Sequence, residues 1–341
     1  MATRLQDCEC IESDRCKLLN DSFYEEYTIA NSLPSLCDLQ RTTLMRRLGN
    51  TMDSVSAFSH AARVLDSKIR QVSRLNGANS VWECTAEYGP FAVIKNYARD
   101  HHSEEHYFSE TFLLEQNKGR GFLPSLMHVD ESAFTAILAY EGSNPDSTVE
   151  FAAIVRAIQE FPSLTLPAHL HLDLPGICSS WANGGAHLGI AENLVLTVAR
   201  QRSALSTCVE RFSNDWAHET TIHGDLKLAN VRLQAQTFKI IDWETVGMGS
   251  KYWDTAGLTQ SILLEIIGKG SLENWARSQM VAVKELLCNA DQAFNDALVT
   301  RLVQSALEAA QKSTLVPQFS ASVLQLAEYL ASENREILES L

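Results

Sequence analysis

The sequence lacks the long apolar run that a membrane-spanning helix needs. No stretch of its 341 residues approaches the roughly 20 consecutive apolar residues of such a helix, and the first residues are too polar for a secretion signal. Clusters of Lys and Arg are also missing, and the net charge is −14, which disfavours nucleic-acid binding. We therefore expect a cytoplasmic protein that binds neither a membrane nor nucleic acid.

Cysteine spacings typical of metal sites or disulfide frameworks are missing too. The eight cysteines are scattered, and none forms a Cys-x-x-Cys pair. This pattern is typical of reduced thiols in a cytosolic enzyme. Cys8, Cys10 and Cys16 could form a small metal site with Cys37, but no nearby His supports it. With no repeats or low-complexity segments, a chain of this length predicts a globular protein of about two or three packed units.

What the sequence does contain is a group of polar residues around a short hairpin. The β-rich runs Val231–Leu233 and Phe238–Ile241 are predicted to pair, which brings Asp242 back beside Asn230. Carboxylate and amide oxygens suit Mg²⁺, whose shell is completed by water and phosphate oxygens. Asp225 is close enough in sequence to share this pocket, and it could accept a proton from a hydroxyl. The stretch therefore predicts a phosphoryl-transfer site.

The segments His223-Gly-Asp-Leu-Lys-Leu-Ala-Asn230 and Ile241-Asp-Trp-Glu244 resemble the catalytic loop and metal-binding segment of the protein-kinase-like superfamily. Gly224 replaces an Arg of the protein kinases, and Asp-Trp-Glu replaces Asp-Phe-Gly. With these departures the chain is most similar to the aminoglycoside phosphotransferase and choline kinase branch. No Ala-Pro-Glu motif is present, which argues against control by activation-loop phosphorylation. The resemblance implies a bilobal α+β fold, with an antiparallel-sheet N-lobe and a mainly helical C-lobe.

Apolar periodicity divides the chain into three predicted parts. Residues 1–72 form a helical N-terminal extension, ending in a helix over Val55–Val72, which either braces the first lobe or docks an acceptor. Residues 73–144 form the N-lobe, with an ATP-binding sheet and a helix. Residues 145–341 form the C-lobe, with the catalytic loop, the metal site and acceptor-binding helices. A single helix is predicted there over Ile190–Phe212.

The resemblance also assigns residues to ATP. Lys95, at the end of an apolar strand pattern, is expected to contact the α/β-phosphates and to pair with Glu110 on the next helix. The alternatives to this carboxylate are Glu104, Glu105 and Glu115. The backbone of Ala139 and Tyr140 is expected to meet the adenine edge. The glycine-rich loop is poorly represented, with a single glycine, Gly77, followed by Asn79 and Ser80.

In the same scheme Asp225 is the catalytic base, Asn230 and Asp242 hold Mg²⁺, and His223 and Asp254 support the loop. Lys227 is a departure, because it matches the Ser/Thr protein kinases, where such a Lys meets the γ-phosphate. Two acceptors therefore stay open, a small hydroxylated molecule or Ser/Thr of a precursor peptide in lanthipeptide-like maturation with a partner lyase. A third reading, a catalytically dead binding scaffold, is disfavoured because Asp225, Asn230 and Asp242 are intact.

Overall fold

The structure is a computed structural model, and it describes residues 54–65, 69–75, 80–98, 101–142, 150–167, 170–234, 237–269, 274–311 and 317–332. Most of the predicted N-terminal extension, with Cys8, Cys10, Cys16 and Cys37, lies outside these ranges. So do Gly77 and Asn79. Within the described ranges, no helix is both long and apolar enough to cross a membrane.

An antiparallel five-stranded sheet organises the first part of the chain. Its strands lie in the order β1-β2-β3-β5-β4. They are β1 Gln71–Leu75, β2 Ser80–Ala86, β3 Gly89–Asn96, β4 Leu126–Asp130 and β5 Thr135–Ala139. Side chains alternate between the faces of a strand, so Ile94 and Lys95 point to opposite sides of β3. Both sides are covered, because both residues are buried.

Two helices accompany the sheet, α1 Ser54–Leu65 and α2 His101–Gln116. Ala57 and Ala61 of α1 form a small core with Trp82, Ala92 and Ile94, so α1 covers the face opposite Lys95. The helix predicted over Val55–Val72 is therefore too long. It ends at Leu65, and β1 begins at Gln71, where the chain enters the sheet.

Helices make up most of the second part of the chain. They are α3 Phe151–Ile158, α4 Gly176–Ala182, α5 Ile190–Gln201, α6 Ser203–Asn214, α7 Trp253–Lys269, α8 Asn274–Cys288, α9 Gln292–Gln311 and α10 Pro317–Ala331. The prediction of one helix over Ile190–Phe212 is wrong, because Arg202 has an extended backbone (ψ 102°) that ends α5 and precedes α6. An antiparallel sheet followed by a mainly helical part confirms the predicted bilobal α+β organisation.

Helix α9 is the centre of the helical part. It packs against α5, α6, α7 and α10, and buried residues occur around its whole circumference, as expected of a helix enclosed on all sides. Its buried Asp296 accepts two hydrogen bonds from Arg211 of α6, at 2.7 and 2.8 Å. The position of α9 is therefore fixed by both apolar packing and a two-pronged ion pair.

Two small strand pairs lie between the sheet and the helices. Strand β6 (Thr220–Ile222) pairs with β9 (Gly247–Gly249), and β7 (Val231–Gln234) pairs with β8 (Thr237–Ile240). The second pair confirms the hairpin predicted from the sequence. The polar residues singled out above lie in the turns at the ends of these strands, so the two pairs set their relative positions.

Helices α8 and α9 offer a matched test of the core. Val303 of α9 is fully buried, whereas Val281 of α8 is 74% exposed. We expect Val303→Ala to lower the free energy of unfolding by ~1–3 kcal/mol, because it leaves a cavity. Val281→Ala makes the same change in helix propensity without the cavity. Chemical denaturation of both variants measures the difference, and equal stabilities would contradict the central place of α9.

Candidate active site

Lys95 is surrounded by three carboxylates. It is 4% exposed, and its Nζ lies 2.8 Å from Glu110 Oε2, 2.5 Å from Asp242 Oδ1 and 2.8 Å from Glu244 Oε2. Burial opposes the charge of the ammonium, but the surrounding carboxylates hold the pKa of Lys95 well above its usual range. One positive charge facing three ionisable acids leaves this site short of positive charge.

Glu110, rather than one of its alternatives on α2, makes the contact with Lys95. It is fully buried, and its carboxylate also accepts hydrogen bonds from the Tyr97 hydroxyl and, at 3.0 Å, from the backbone N–H of Trp243. Glu110 thus ties the sheet and α2 to the segment that follows β8.

Asp242 occupies a left-handed backbone conformation, with φ 69°. Such a conformation is uncommon outside glycine and persists when neighbouring contacts fix it. Burial alone would raise the pKa of Asp242, but the Lys95 ammonium outweighs it and the pKa is lowered. The pKa of Glu244 is raised, mainly by burial, which its contact with Lys95 does not offset. Lys95 therefore favours the charged form of Asp242 more strongly than that of Glu244.

His223 links the loop that carries Asp225 to the chain before Asp242. It is fully buried. The Asp225 N–H donates to its Nδ1 at 3.3 Å, and its Nε2 lies 2.9 Å from the Ile241 carbonyl. Because a carbonyl can only accept, one proton on Nε2 satisfies both contacts. Both ring nitrogens are thus used within the protein, as expected of a supporting residue.

Asp254, at the start of α7, holds the backbone of the same loop. Its carboxylate accepts from His223 N at 2.5 Å and from Gly224 N at 3.1 Å, and burial raises its pKa. Gly224 has φ 85°, and a Cβ there would collide with the Thr245 carbonyl. Its carbonyl accepts from the Trp253 indole N–H at 2.7 Å. These contacts explain why glycine stands where protein kinases have Arg.

Asn230 and Asp242 are brought together by the hairpin. The Ile241 N–H donates to the Asn230 carbonyl at 2.8 Å. The Asn230 side-chain N–H donates to the Asp225 carbonyl at 2.9 Å, so its amide oxygen is the end suited to a metal. No cluster of three His, Cys, Asp or Glu ligands occurs among the described residues. An amide oxygen, one carboxylate and the excess negative charge nonetheless fit Mg²⁺, which takes its other ligands from water and phosphate.

Asp225 lies at a large cavity. Its Oδ2 is 2.6 Å from Lys227 Nζ, and both side chains are partly exposed. The cavity, of about 1250 Å³, is bordered by α2, by the chain around residues 170–176 and by Trp216, Trp253 and Arg301. A molecule in this cavity therefore meets Asp225 directly.

Comparison with solved structures identifies the fold. Choline kinase LicA from Streptococcus pneumoniae matches with a TM-score of 0.53 at 15% identity, over 81% of this chain and 98% of that one. A choline/ethanolamine kinase family protein from Mesorhizobium loti matches with a TM-score of 0.52 at 14% identity, over 85% and 100%. A thermostable mutant of aminoglycoside phosphotransferase APH(4)-Ia matches with a TM-score of 0.54 at 10% identity, over 81% and 98%.

This chain has the protein-kinase-like fold of the choline kinase and aminoglycoside phosphotransferase branch. No protein-family model and no curated protein matches the sequence. The resemblance seen in the motifs is thus confirmed at the level of the fold.

The kinase-like fold puts Ala139 and Tyr140 at the end of β5, but their backbone N–H groups are already used. Ala139 donates to the Ser125 carbonyl at 2.8 Å, and Tyr140 donates to the Phe91 carbonyl at 2.9 Å. The backbone of these two residues can therefore offer only carbonyl acceptors to an adenine edge. An N–H donor would have to come from a residue further along the chain, such as Gly142.

Two residues of the site were missed from the sequence. Glu244 contacts Lys95, and its place directly after the Asp-Trp pair was a usable signal. Arg301 borders the cavity that contains Asp225. It had no such signal, since it is one polar position in a long helical pattern, about 75 residues after the loop it approaches.

The contact between Lys95 and Glu110 can be tested by a double-mutant cycle. We expect Lys95→Met and Glu110→Gln to affect nucleotide binding non-additively, with a coupling of ~0.5–3 kcal/mol, because each removes one end of the same buried pair. Calorimetry with a non-hydrolysable ATP analogue gives the four affinities. Glu115→Gln, on the exposed side of α2, is the control and should add simply to Lys95→Met. Equal coupling in both cycles would rule Glu110 out as the specific partner.

Proposed function

We propose that the protein is an ATP-dependent phosphotransferase that moves the γ-phosphate to an alcohol hydroxyl of a small molecule. The main support is that Asp225 borders the cavity and also contacts a candidate metal ligand. Its backbone carbonyl accepts a hydrogen bond from the Asn230 side chain, and the hairpin brings Asn230 beside the segment that carries Asp242. A base, a metal-ligand pair and an acceptor-sized space thus adjoin one another. Such an arrangement is what phosphoryl transfer by positioning and electrostatics requires.

In this proposal Lys95, oriented by Glu110, binds the α/β-phosphates, and Asn230 and Asp242 bind Mg²⁺. The bound ion would neutralise charge on the β- and γ-phosphates. Asp225 aligns the acceptor hydroxyl and receives its proton. Lys227 leaves its contact with Asp225 to meet an oxygen of the transferred group. His223 and Asp254 keep the loop in place through the contacts described above.

The similar structures support this choice of acceptor. One structure of LicA is a complex with AMP, and one of APH(4)-Ia is a ternary complex with ADP and hygromycin B. The first is named a choline kinase and the second an aminoglycoside phosphotransferase. A peptide acceptor with a partner lyase, which Lys227 left open, gains no support from the described residues or from these comparisons, and we do not propose it.

The charge imbalance around Lys95 predicts that nucleotide binding needs Mg²⁺. Without the ion, Asp242 and Glu244 face the triphosphate with only Lys95 to offset them. We expect the affinity for ATP to fall at least about tenfold when EDTA replaces Mg²⁺, as measured by calorimetry. In Asp242→Asn the ratio of the two affinities should shrink, because a repelling charge and a metal ligand are both lost. Equal affinities with and without Mg²⁺ would contradict the proposal.

The roles of Asp225 and Asp242 can be separated. We expect Asp225→Asn to bind Mg·ATP within a few-fold of the unaltered protein and to transfer phosphate ~10²–10⁴ times more slowly, because a general base is lost. Asp242→Asn should weaken Mg·ATP binding as well. Binding is followed by calorimetry, and transfer by labelled phosphate on a panel of small alcohols. Asp215→Asn removes an exposed charge nearby in sequence and should change neither quantity. The reverse pattern would show that base and metal ligand have been exchanged.

A further inference from the structure

Arg301 is a buried cation that borders the cavity with part of its hydrogen-bonding capacity unused. It is 5% exposed, and among the described residues its Nε has no hydrogen-bond partner. Its guanidinium carbon lies 4.2 Å from the centre of the Trp253 ring. A contact with an aromatic ring uses none of the five N–H donors of the guanidinium in conventional hydrogen bonds. The stacking therefore orients Arg301 without satisfying it.

The electrostatic surroundings of Arg301 also leave its positive charge without a close partner among the described residues. Burial lowers its pKa, while Asp225 and Asp254 act in the opposite direction from beyond ion-pair distance. An Arg side chain stays charged even so, and a buried charge without a close partner is costly. Among the described residues, no carboxylate forms an ion pair with it at 4 Å or less. The cavity thus presents a cation to whatever molecule enters it.

Gln304 adds an unused acceptor one turn further along α9. Its Oε1 is buried without a partner among the described residues, and it borders the same cavity. Its Nε2 donates to Glu308 Oε1 at 2.8 Å, which fixes the amide orientation, since the reversed amide would turn its oxygen towards a carboxylate. Residues three apart on a helix are neighbours. A buried donor and a buried acceptor, each without a partner among the described residues, therefore belong to neighbouring residues that border the cavity.

We infer that the acceptor alcohol carries a carboxylate that binds Arg301, together with an adjacent N–H or O–H group that donates to Gln304. This inference rests on the proposed function and deepens it by naming the substrate class, of which hydroxy-amino acids and dihydroxy acids are members. In the reaction, a new bond joins the acceptor oxygen to the γ-phosphorus as the bond from that phosphorus to the departing ADP oxygen breaks. The hydroxyl proton goes to Asp225.

The charges of the cavity favour a carboxylate over a phosphate on this acceptor. The planar fork of Arg matches a carboxylate, and one guanidinium balances one negative charge. A phosphorylated alcohol would bring about two negative charges. It would face the acidic residues that also border the cavity, Glu105, Glu115, Glu131, Asp173 and Glu244. The same acids would favour an ammonium group on the acceptor beside its carboxylate.

Alcohols that differ only in the carboxylate provide the test. The pairs are L-serine with ethanolamine, L-homoserine with 3-aminopropanol, and glycerate with ethylene glycol; glycerol 3-phosphate represents phosphorylated alcohols. Transfer from labelled ATP gives kcat/KM for each. We expect the unaltered protein to favour the carboxylate member of at least one pair, and Arg301→Gln to lower kcat/KM for that member by roughly 10- to 100-fold, the loss typical of a charged hydrogen bond. The other member of the pair should change only a few-fold.

Further variants separate binding from folding. Arg301→Lys keeps the positive charge and should retain part of the preference for the carboxylate member of a pair. Gln304→Leu should lower kcat/KM for the amino-acid or dihydroxy-acid member, while the charge of Arg301 stays in place. Arg156→Gln, an exposed position on α3, is the matched control and should leave every ratio unchanged. Equal losses for both members of a pair in Arg301→Gln would mean that Arg301 only supports the loop, and would overturn the inference.

Binding measurements distinguish the inference from the proposed function. If no alcohol of the panel is phosphorylated, calorimetry with the same compounds on protein loaded with Mg·AMP-PNP replaces the assay. Unaltered protein that binds no carboxylate member, or that prefers ethanolamine or glycerol 3-phosphate, contradicts the inference alone. Failure to bind Mg·AMP-PNP at all contradicts the proposed function itself.

Discussion

A single buried ammonium group, that of Lys95, connects the five-stranded sheet to the mainly helical part of the chain. Lys95 belongs to the sheet, Glu110 to the helix beside it, and Asp242 and Glu244 to the segment that follows the hairpin, yet all three carboxylates lie within 2.8 Å of its Nζ. A buried cation is tolerated only when charges of opposite sign compensate it. The position of any one of these elements is therefore constrained by the others, and the constraint runs through the place where phosphates are proposed to bind.

Three acidic side chains surround the single ammonium group of Lys95. This excess of acidic groups does not favour the stability of the fold. Burial raises the pKa of Glu244, and its contact with Lys95 does not offset this effect. Asp242 has a left-handed backbone conformation. Sites where charge and backbone geometry are this unfavourable are more often functional than structural. A divalent cation bound at this site would relieve the imbalance, which is consistent with the proposed role of Mg²⁺.

The loop that carries Asp225 is fixed by contacts that are independent of Lys95. Asp254 holds two consecutive N–H groups, and His223 joins the loop to the chain before Asp242. These groups are buried and satisfied, so they position Asp225 without themselves reaching the cavity. Arg301 and Gln304 differ, because Nε of Arg301 and Oε1 of Gln304 are buried and lack hydrogen-bond partners among the described residues. The contrast separates the groups that shape the site from the groups that are suited to a ligand.

The sequence by itself determined the elements whose signal is local. The hairpin around residues 234–237, the polar spacing of Asp225, Asn230 and Asp242, and the strand that ends near Lys95 follow from short-range patterns, because strand periodicity and turn chemistry are encoded within a few residues. The resemblance of the motifs extended these to the α+β fold and to Glu110 as the contact of Lys95. The roles of these residues in catalysis stay predictions.

Tertiary structure decided what depends on distant parts of the chain. The break at Arg202 is a change of backbone angle inside a continuous helical pattern. The N–H groups of Ala139 and Tyr140 donate to carbonyls of Ser125 and Phe91, which lie elsewhere in the sequence. Arg301 borders the cavity because of the position that α9 takes when it packs against other helices. No local pattern records such a placement, since burial and charge compensation arise only when segments far apart in sequence come together.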